Sequence, residues 1–156
     1  MIRNVRHFGV VVTDMKKSLR FYHDLLGLKI ERELHESGTF LDNMLNMKNV
    51  HVHTIKMSAS NGITLVELLK FENNPNTIPQ SEISRIGASH VAFTVENIQD
   101  VYTKLTNSGV VFNAPPQFSP DGYAKVTFCN DPDGTPIELV EVLDPTIVNK
   151  NGDKNI

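Results

Sequence analysis

The sequence predicts an α+β fold made of two tandem βαβββ modules, and three observations carry that prediction. The segments His7-Phe-Gly-Val-Val-Val-Thr-Asp14 and His90-Val-Ala-Phe-Thr-Val-Glu-Asn97 each run from a histidine, through an apolar strand, to a helix-capping residue. Each is followed by a helical stretch that stops at a glycine, Gly27 in the first copy and Gly109 in the second. Near the end of each copy, Ile63-Thr-Leu-Val-Glu-Leu-Leu69 and Thr135-Pro-Ile-Glu-Leu-Val140 place one acid inside an apolar strand. Such self-similarity outranks local propensity as a guide to fold.

The elements follow in order. Residues 4–13 are mostly β-branched or apolar and predict a strand, after which Asp14 caps a helix carrying Leu19, Tyr22, Leu25 and Leu26 on one side. Strands are expected at about 28–36, 50–57 and 62–71, with a short helical piece near Phe40 to Leu45. Glu72 to Gln80, with three asparagines and two prolines, reads as the start of a linker. In the second copy Asn97 caps a helix with the apolar stripe Ile98, Val101, Tyr102 and Leu105. Three strands are expected near 110–113, 123–129 and 135–142, the last two joined by the turn Asp131-Pro-Asp-Gly134. Pro115-Pro-Gln-Phe-Ser-Pro-Asp-Gly122 is an irregular loop that could act as a lid or a plain connector. The expected layout is module one at 4–71, linker at 72–86, module two at 87–143 and a polar tail at 144–156, all in one domain.

Composition narrows the function. A chain of 156 residues with 40% hydrophobic residues can bury a real core. The formal net charge of -3, without a basic block, gives no electrostatic footprint for nucleic acid or an anionic membrane, so a small molecule is the expected partner. The single cysteine, Cys129, leaves no internal disulfide and reads as a small buried hydrophobe. With no spanning segment or signal-like start, a reducing cytoplasm is the expected location.

Strand alternation decides what the repeated residues face. His7 shares a side with Gly9 and Val11, and His90 with Ala92 and Thr94, whereas Phe8, Val10, Val12 and Val91, Phe93, Val95 form bulky opposite sides suited to packing on helices. Glu67 between Val66 and Leu68, and Glu138 between Ile137 and Leu139, need a partner, because an unpaired buried charge is costly. Glu141, three residues on, points to the other side and is assigned to structure. Singly, each histidine or glutamate reads more simply as an exposed or hydrogen-bonded residue. Together, His7, Glu67, His90 and Glu138 read as ligands of a divalent metal. Two imidazoles and two carboxylates suit zinc, nickel, cobalt, manganese or iron(II) rather than calcium or magnesium. His51 and His53 share one side of their strand and offer an alternative acid or base, or two exposed strand histidines.

The duplication, the opening His-x-Gly-Val-x-Val, Phe21-Tyr-His-Asp-Leu-Leu-Gly-Leu28 and Asp131-Pro-Asp-Gly-Thr-Pro-Ile-Glu138 resemble the vicinal oxygen chelate superfamily over roughly residues 5–143. That group includes glyoxalase I, methylmalonyl-CoA epimerase, extradiol dioxygenases, fosfomycin-resistance proteins and bleomycin-binding proteins. The resemblance implies a half-open barrel around one metal, with His7, Glu67, His90 and Glu138 at the four ligand positions of the glyoxalase and epimerase branches. It further implies a homodimer and a lyase or isomerase that abstracts a proton next to a carbonyl held by the metal, with Glu138 and Glu67 as the catalytic carboxylates. Zinc, nickel or cobalt leads the metals implied, ahead of manganese or iron(II). A keto-thiol adduct or an acyl-CoA thioester is the implied substrate. Where glyoxalase I carries an arginine for the glutathione carboxylate, this chain reads Phe8-Gly-Val-Val-Val12, and where the epimerases place a glutamate it reads Met47-Lys-Asn-Val50. An extradiol-type dioxygenase and a metal-free binding or resistance protein are the alternatives. Phe40, Phe71, Phe112, Phe118 and Tyr123 would border a cavity or pack in the core.

Overall fold

Backbone capping and strand alternation build the same motif twice. The computed structural model describes residues 2–60, 64–73, 83–84 and 86–143, and the chain divides into the units Met1–Pro79 and Gln80–Ile156. Most of the expected linker and the whole tail lie outside the described residues.

In the first unit, strand β1 (His7–Val11) leads to helix α1 (Met15–Leu19), where Asp14 Oδ1 accepts a hydrogen bond from the Lys17 N–H at 3.1 Å. That bond holds the Asp14 carboxyl below the usual carboxylate range. Its contribution to stability is therefore present above the unfolded value and fades as pH falls through the folded one. The helix continues as a π-helical segment (Arg20–Leu25), in which the Leu26 N–H reaches back five residues to the Phe21 carbonyl at 3.0 Å. Gly27, at φ +79°, makes the left-handed stop. Then follow β2 (Lys29–Ser37), α2 (Thr39–Leu45), β3 (His51–Ser58) and β4 (Leu65–Phe71). The sheet order is β1-β4-β3-β2, with β1 parallel to β4 and the other pairs antiparallel. One face supplies the core residues Val10, Ile55, Met57, Val66 and Leu68, while on the other Leu41 of α2 packs with Val50, Val52, Leu69 and Phe71.

The second unit repeats the pattern: β5 (Val91–Thr94), α3 (Ile98–Asn107), β6 (Gln117–Phe118), β7 (Ala124–Asn130) and β8 (Pro136–Val142), in sheet order β5-β8-β7-β6. Cys129, Ile137 and Leu139 are fully buried, as are Ile98 and Leu105 of the helix. Burial, followed by the nearby Asp131 charge, pushes the Cys129 thiol up to about 12, which keeps it an unreactive core residue. Helix α3 is capped twice. Asn97 Oδ1 accepts from the N–H groups of Gln99 (3.0 Å) and Asp100 (3.1 Å), and Glu141 Oε2 accepts from the Ile98 N–H (3.0 Å). The side chain of Glu141 thus serves structure, as its parity on the strand required. Asn97→Ala is expected to cost about 1 kcal/mol, read as a lower denaturant midpoint at unchanged slope.

Four local expectations need correction. The first strand spans His7–Val11 rather than 4–13, because Asn4 to Arg6 are exposed and outside the ladder that starts at His7 opposite Leu65. The buried residues of the first helical stretch are Met15, Ser18, Phe21 and Tyr22, while Leu19, Leu25 and Leu26 are only half-buried; the π-helical turn shifts which residues face the sheet. Residues 110–113 form no strand beyond one bridge from Phe112 to Cys129. Pro115 and Pro116 lack the N–H groups needed to extend that bridge, so the edge strand β6 forms later, inside the expected lid loop. Of the five aromatics, Phe40, Phe118 and Tyr123 are exposed, Phe71 joins the Leu41 cluster, and Phe112 packs against Tyr102 with ring centroids 4.7 Å apart.

Candidate metal centre

Alternation along β1 leaves His7, Gly9 and Val11 on the open side of its sheet, with Val10 and Val12 buried behind them. The parallel ladder sets Gly9 opposite Glu67, so Glu67 rises on the same side as His7. His7 Nε2 lies 3.0 Å from Glu67 Oε2, and the Glu67 side chain is only 9% exposed. A Cβ at Gly9, opposite Glu67, would come 3.1 Å from Leu69 Cδ1, so a side chain there would require Leu69 to give way.

The second unit repeats this arrangement. His90, Ala92 and Thr94 are exposed on the open side, Ala92 stands opposite Glu138, and His90 Nε2 lies 3.1 Å from Glu138 Oε2. Each unit therefore joins one imidazole to one carboxylate, at one register and with one atom pairing. Both separations are those of a hydrogen-bonded His–Glu pair, and they also admit a cation. Two donors each about 2.1 Å from one ion and at right angles stand about 3.0 Å apart, which matches both pairs.

The two carboxylates differ in their third neighbour. Across the β3–β4 ladder Lys56 stands opposite Glu67, and its Nζ donates to Glu67 Oε1 at 3.2 Å. The corresponding neighbour of Glu138 is Phe128, whose ring meets that of His90 edge-on at 5.4 Å. Glu67 is thus enclosed and held by two cationic or imidazole groups, whereas Glu138, 22% exposed, is held by one and flanked by an apolar ring.

Lys56 escaped the sequence reading, yet a signal for it was present. Lys56 and Glu67 stand equally far from the dipeptide Asn61-Gly62 in the sequence, the relation expected of partners in two antiparallel strands joined by a short connection. The same register corrects the reading of His53 as an acid or base for this centre. Three residues from Lys56 on a regular strand, it lies on the opposite face of the sheet, where its Nε2 is 2.7 Å from Glu33 Oε1; His51 shares that face.

No helix among the described residues is long and apolar enough to cross a membrane. Similarity to known proteins agrees with the duplicated fold. Over 140 residues the chain is 29% identical to the uncharacterized protein YaeR of Escherichia coli, an alignment that covers 90% of this chain and 97% of YaeR. It is also 29% identical over 144 residues to a lactoylglutathione lyase of Schizosaccharomyces pombe, covering 87% of this chain and 46% of that enzyme. The solved structure of a glyoxalase family protein from Bacillus cereus superposes with a TM-score of 0.82 at 20% identity, covering 92% of this chain and 97% of that one. Residues 4–139 match the family model, and the chain belongs to the glyoxalase/bleomycin resistance protein/dioxygenase superfamily.

Proposed function

We propose that the chain is a divalent-metal-dependent lyase or isomerase that moves a proton next to a carbonyl of a small molecule. The observation that carries this reading is the repeated pair, His7 with Glu67 and His90 with Glu138, at the same register and spacing in both units. The two pairs would together hold one ion, with zinc, nickel or cobalt best suited to two imidazoles and two carboxylates, and manganese or iron(II) also accommodated. When bound, such an ion supplies Lewis acidity that eases removal of a proton beside a carbonyl.

The side chains divide the remaining work. Glu67, enclosed and ion-paired to Lys56, serves as a fixed anionic ligand. Glu138 has fewer restraints and more exposure, so it would take the proton from one carbon and return it to the neighbouring carbon; for inversion at the same carbon, water on the opposite face would supply the returning proton. The apolar ring of Phe128 at the base of the His90 pair limits competing hydration there. Exposed Gly9, which has no side chain, and the single methyl of exposed Ala92 leave room for substrate. A keto-thiol adduct or an acyl-CoA thioester has the required acidic C–H beside a carbonyl. The likeness to a lactoylglutathione lyase favours the first, while the run Phe8-Gly-Val-Val-Val12, without an arginine for a carboxylate, favours a thiol other than glutathione.

The Lys56–Glu67 ion pair favours a second reading, a metal-free binding protein, because an ammonium already compensates the more buried acid. Chelator-stripped protein, with and without restored zinc, nickel or cobalt, separates the two. In deuterated water with methylglyoxal plus small thiols, or with acyl-CoA thioesters, the proposed enzyme incorporates deuterium or converts substrate only with metal. Failure of every metal with both substrate classes would contradict the enzyme and leave the binding protein.

A further inference from the structure

Strands β2 and β3 carry a second group of metal-type donors, on the face of the first unit's sheet opposite Glu67. The ladder sets His35 directly across from His53, and Glu33 lies two residues along β2 from His35, so strand alternation gives all three one side. Cross-strand partners stand about 5 Å apart at Cβ, and the imidazole rings here are stacked at 4.2 Å with an angle of 12° between them. His53 Nε2 lies 2.7 Å from Glu33 Oε1. One donor atom from each of the three residues falls within 4.8 Å of the others. Glu72, just past β4 and of the same parity as His53, adds a carboxylate oxygen 3.9 Å from His35 Nδ1. Glu33, His35 and Glu72 are exposed enough to rotate, whereas the His53 side chain is 16% exposed and forms the floor of the group.

From this geometry we infer a second divalent transition-metal site, made by Glu33, His35 and His53 with Glu72 able to supply a fourth donor. Two imidazole nitrogens and one or two carboxylate oxygens match zinc, copper(II), nickel or cobalt, and imidazole excludes calcium and magnesium as natural occupants. Donors around a tetrahedral ion stand about 3.4 Å apart at metal–ligand distances near 2.1 Å. Closing from 4.8 Å to that spacing needs only rotation of exposed side chains on a fixed two-strand frame. Separate ion pairs account for His53 with Glu33 and for His35 with Glu72, whereas a single ion also accounts for the convergence of donors from Glu33, His35 and His53 within 4.8 Å. The ion would pin β2, the edge strand, to β3, and bring in the residue with which the chain leaves β4. The site lies within one unit and does not depend on the reading of His7, Glu67, His90 and Glu138.

The test is a zinc titration of chelator-stripped protein by equilibrium dialysis with elemental analysis, comparing the natural chain with His35→Phe and His90→Ala. Phenylalanine preserves stacking on His53 but has no donor. The expected result is one zinc fewer per chain in His35→Phe than in the natural protein, with this zinc retained in His90→Ala. Imidazole nitrogen resonances of His35 and His53 should shift together on zinc addition. Equal zinc content in the natural and His35→Phe proteins, or zinc binding that leaves both histidines' resonances unmoved, would overturn the site. Glu33→Gln, on an exposed position, repeats the comparison independently of the stack.

Discussion

Glu138→Gln is expected to slow turnover by about 10²- to 10⁴-fold, the range associated with losing a general acid–base group, while the protein keeps its fold. The amide is nearly isosteric and the side chain is partly exposed, so no buried charge is stranded. Its carbonyl oxygen can still face the ion, though without a charge and without the ability to carry a proton. The expected signature is a large drop in kcat with a smaller change in metal affinity. Glu67→Gln should show the reverse order, with metal affinity falling most, because Glu67 is the enclosed carboxylate with two polar partners. Metal content and steady-state kinetics on both variants check the division of roles. Equal effects of the two changes on both measurements would show that the third neighbours, Lys56 and Phe128, do not distinguish the carboxylates.

The second large effect concerns stability. Glu67→Ala, measured in the presence of a chelator, is expected to cost about 2–4 kcal/mol, since breaking an enclosed pair strands the surviving charge. Lys56 would be left only 23% exposed with its carboxylate partner gone, while His7 at 37% can still turn to water. Adding Lys56→Met should recover most of the loss, because an apolar replacement removes the stranded charge and packs against Thr54 and the emptied Glu67 position. Metal binding should stay lost in the double variant. Denaturant midpoints of the four members of this cycle give the coupling directly. A double variant no more stable than Glu67→Ala would mean that the loss came from the cavity rather than from Lys56.

The parts of the fold that were legible in the sequence are those that local patterning determines. Parity along β1 and β5 separates the exposed histidines from Val10, buried in β1, and from Val91 and Phe93, half-buried in β5, without any tertiary information, and Asp14, Asn97, Gly27 and Gly109 mark helix ends by their own backbone chemistry. Duplication then supplied the pairing, since two copies that each contain one histidine and one strand-embedded acid suggest that the two meet. Both do. What was not legible depends on register between distant strands. Lys56 comes to Glu67 only through the β3–β4 ladder, and His35 meets His53 across strands separated by the whole of α2. The β6 edge strand sits in a proline-rich run whose composition signals a loop, and it forms because Gln117 and Phe118 find β7. The π-helical turn at Arg20–Leu25 has no propensity signature, yet it decides that Phe21 rather than Leu25 is buried.

The proposed function requires that the two His–Glu pairs, one from each unit, would hold the same ion. It is tested most directly by counting ions lost from metal-loaded protein in His7→Ala, in His90→Ala and in the double variant. Shared ligation predicts that each single change removes one ion per chain and that the double variant removes no more than that. Loss of two ions in the double variant, or of none in either single variant, would contradict it.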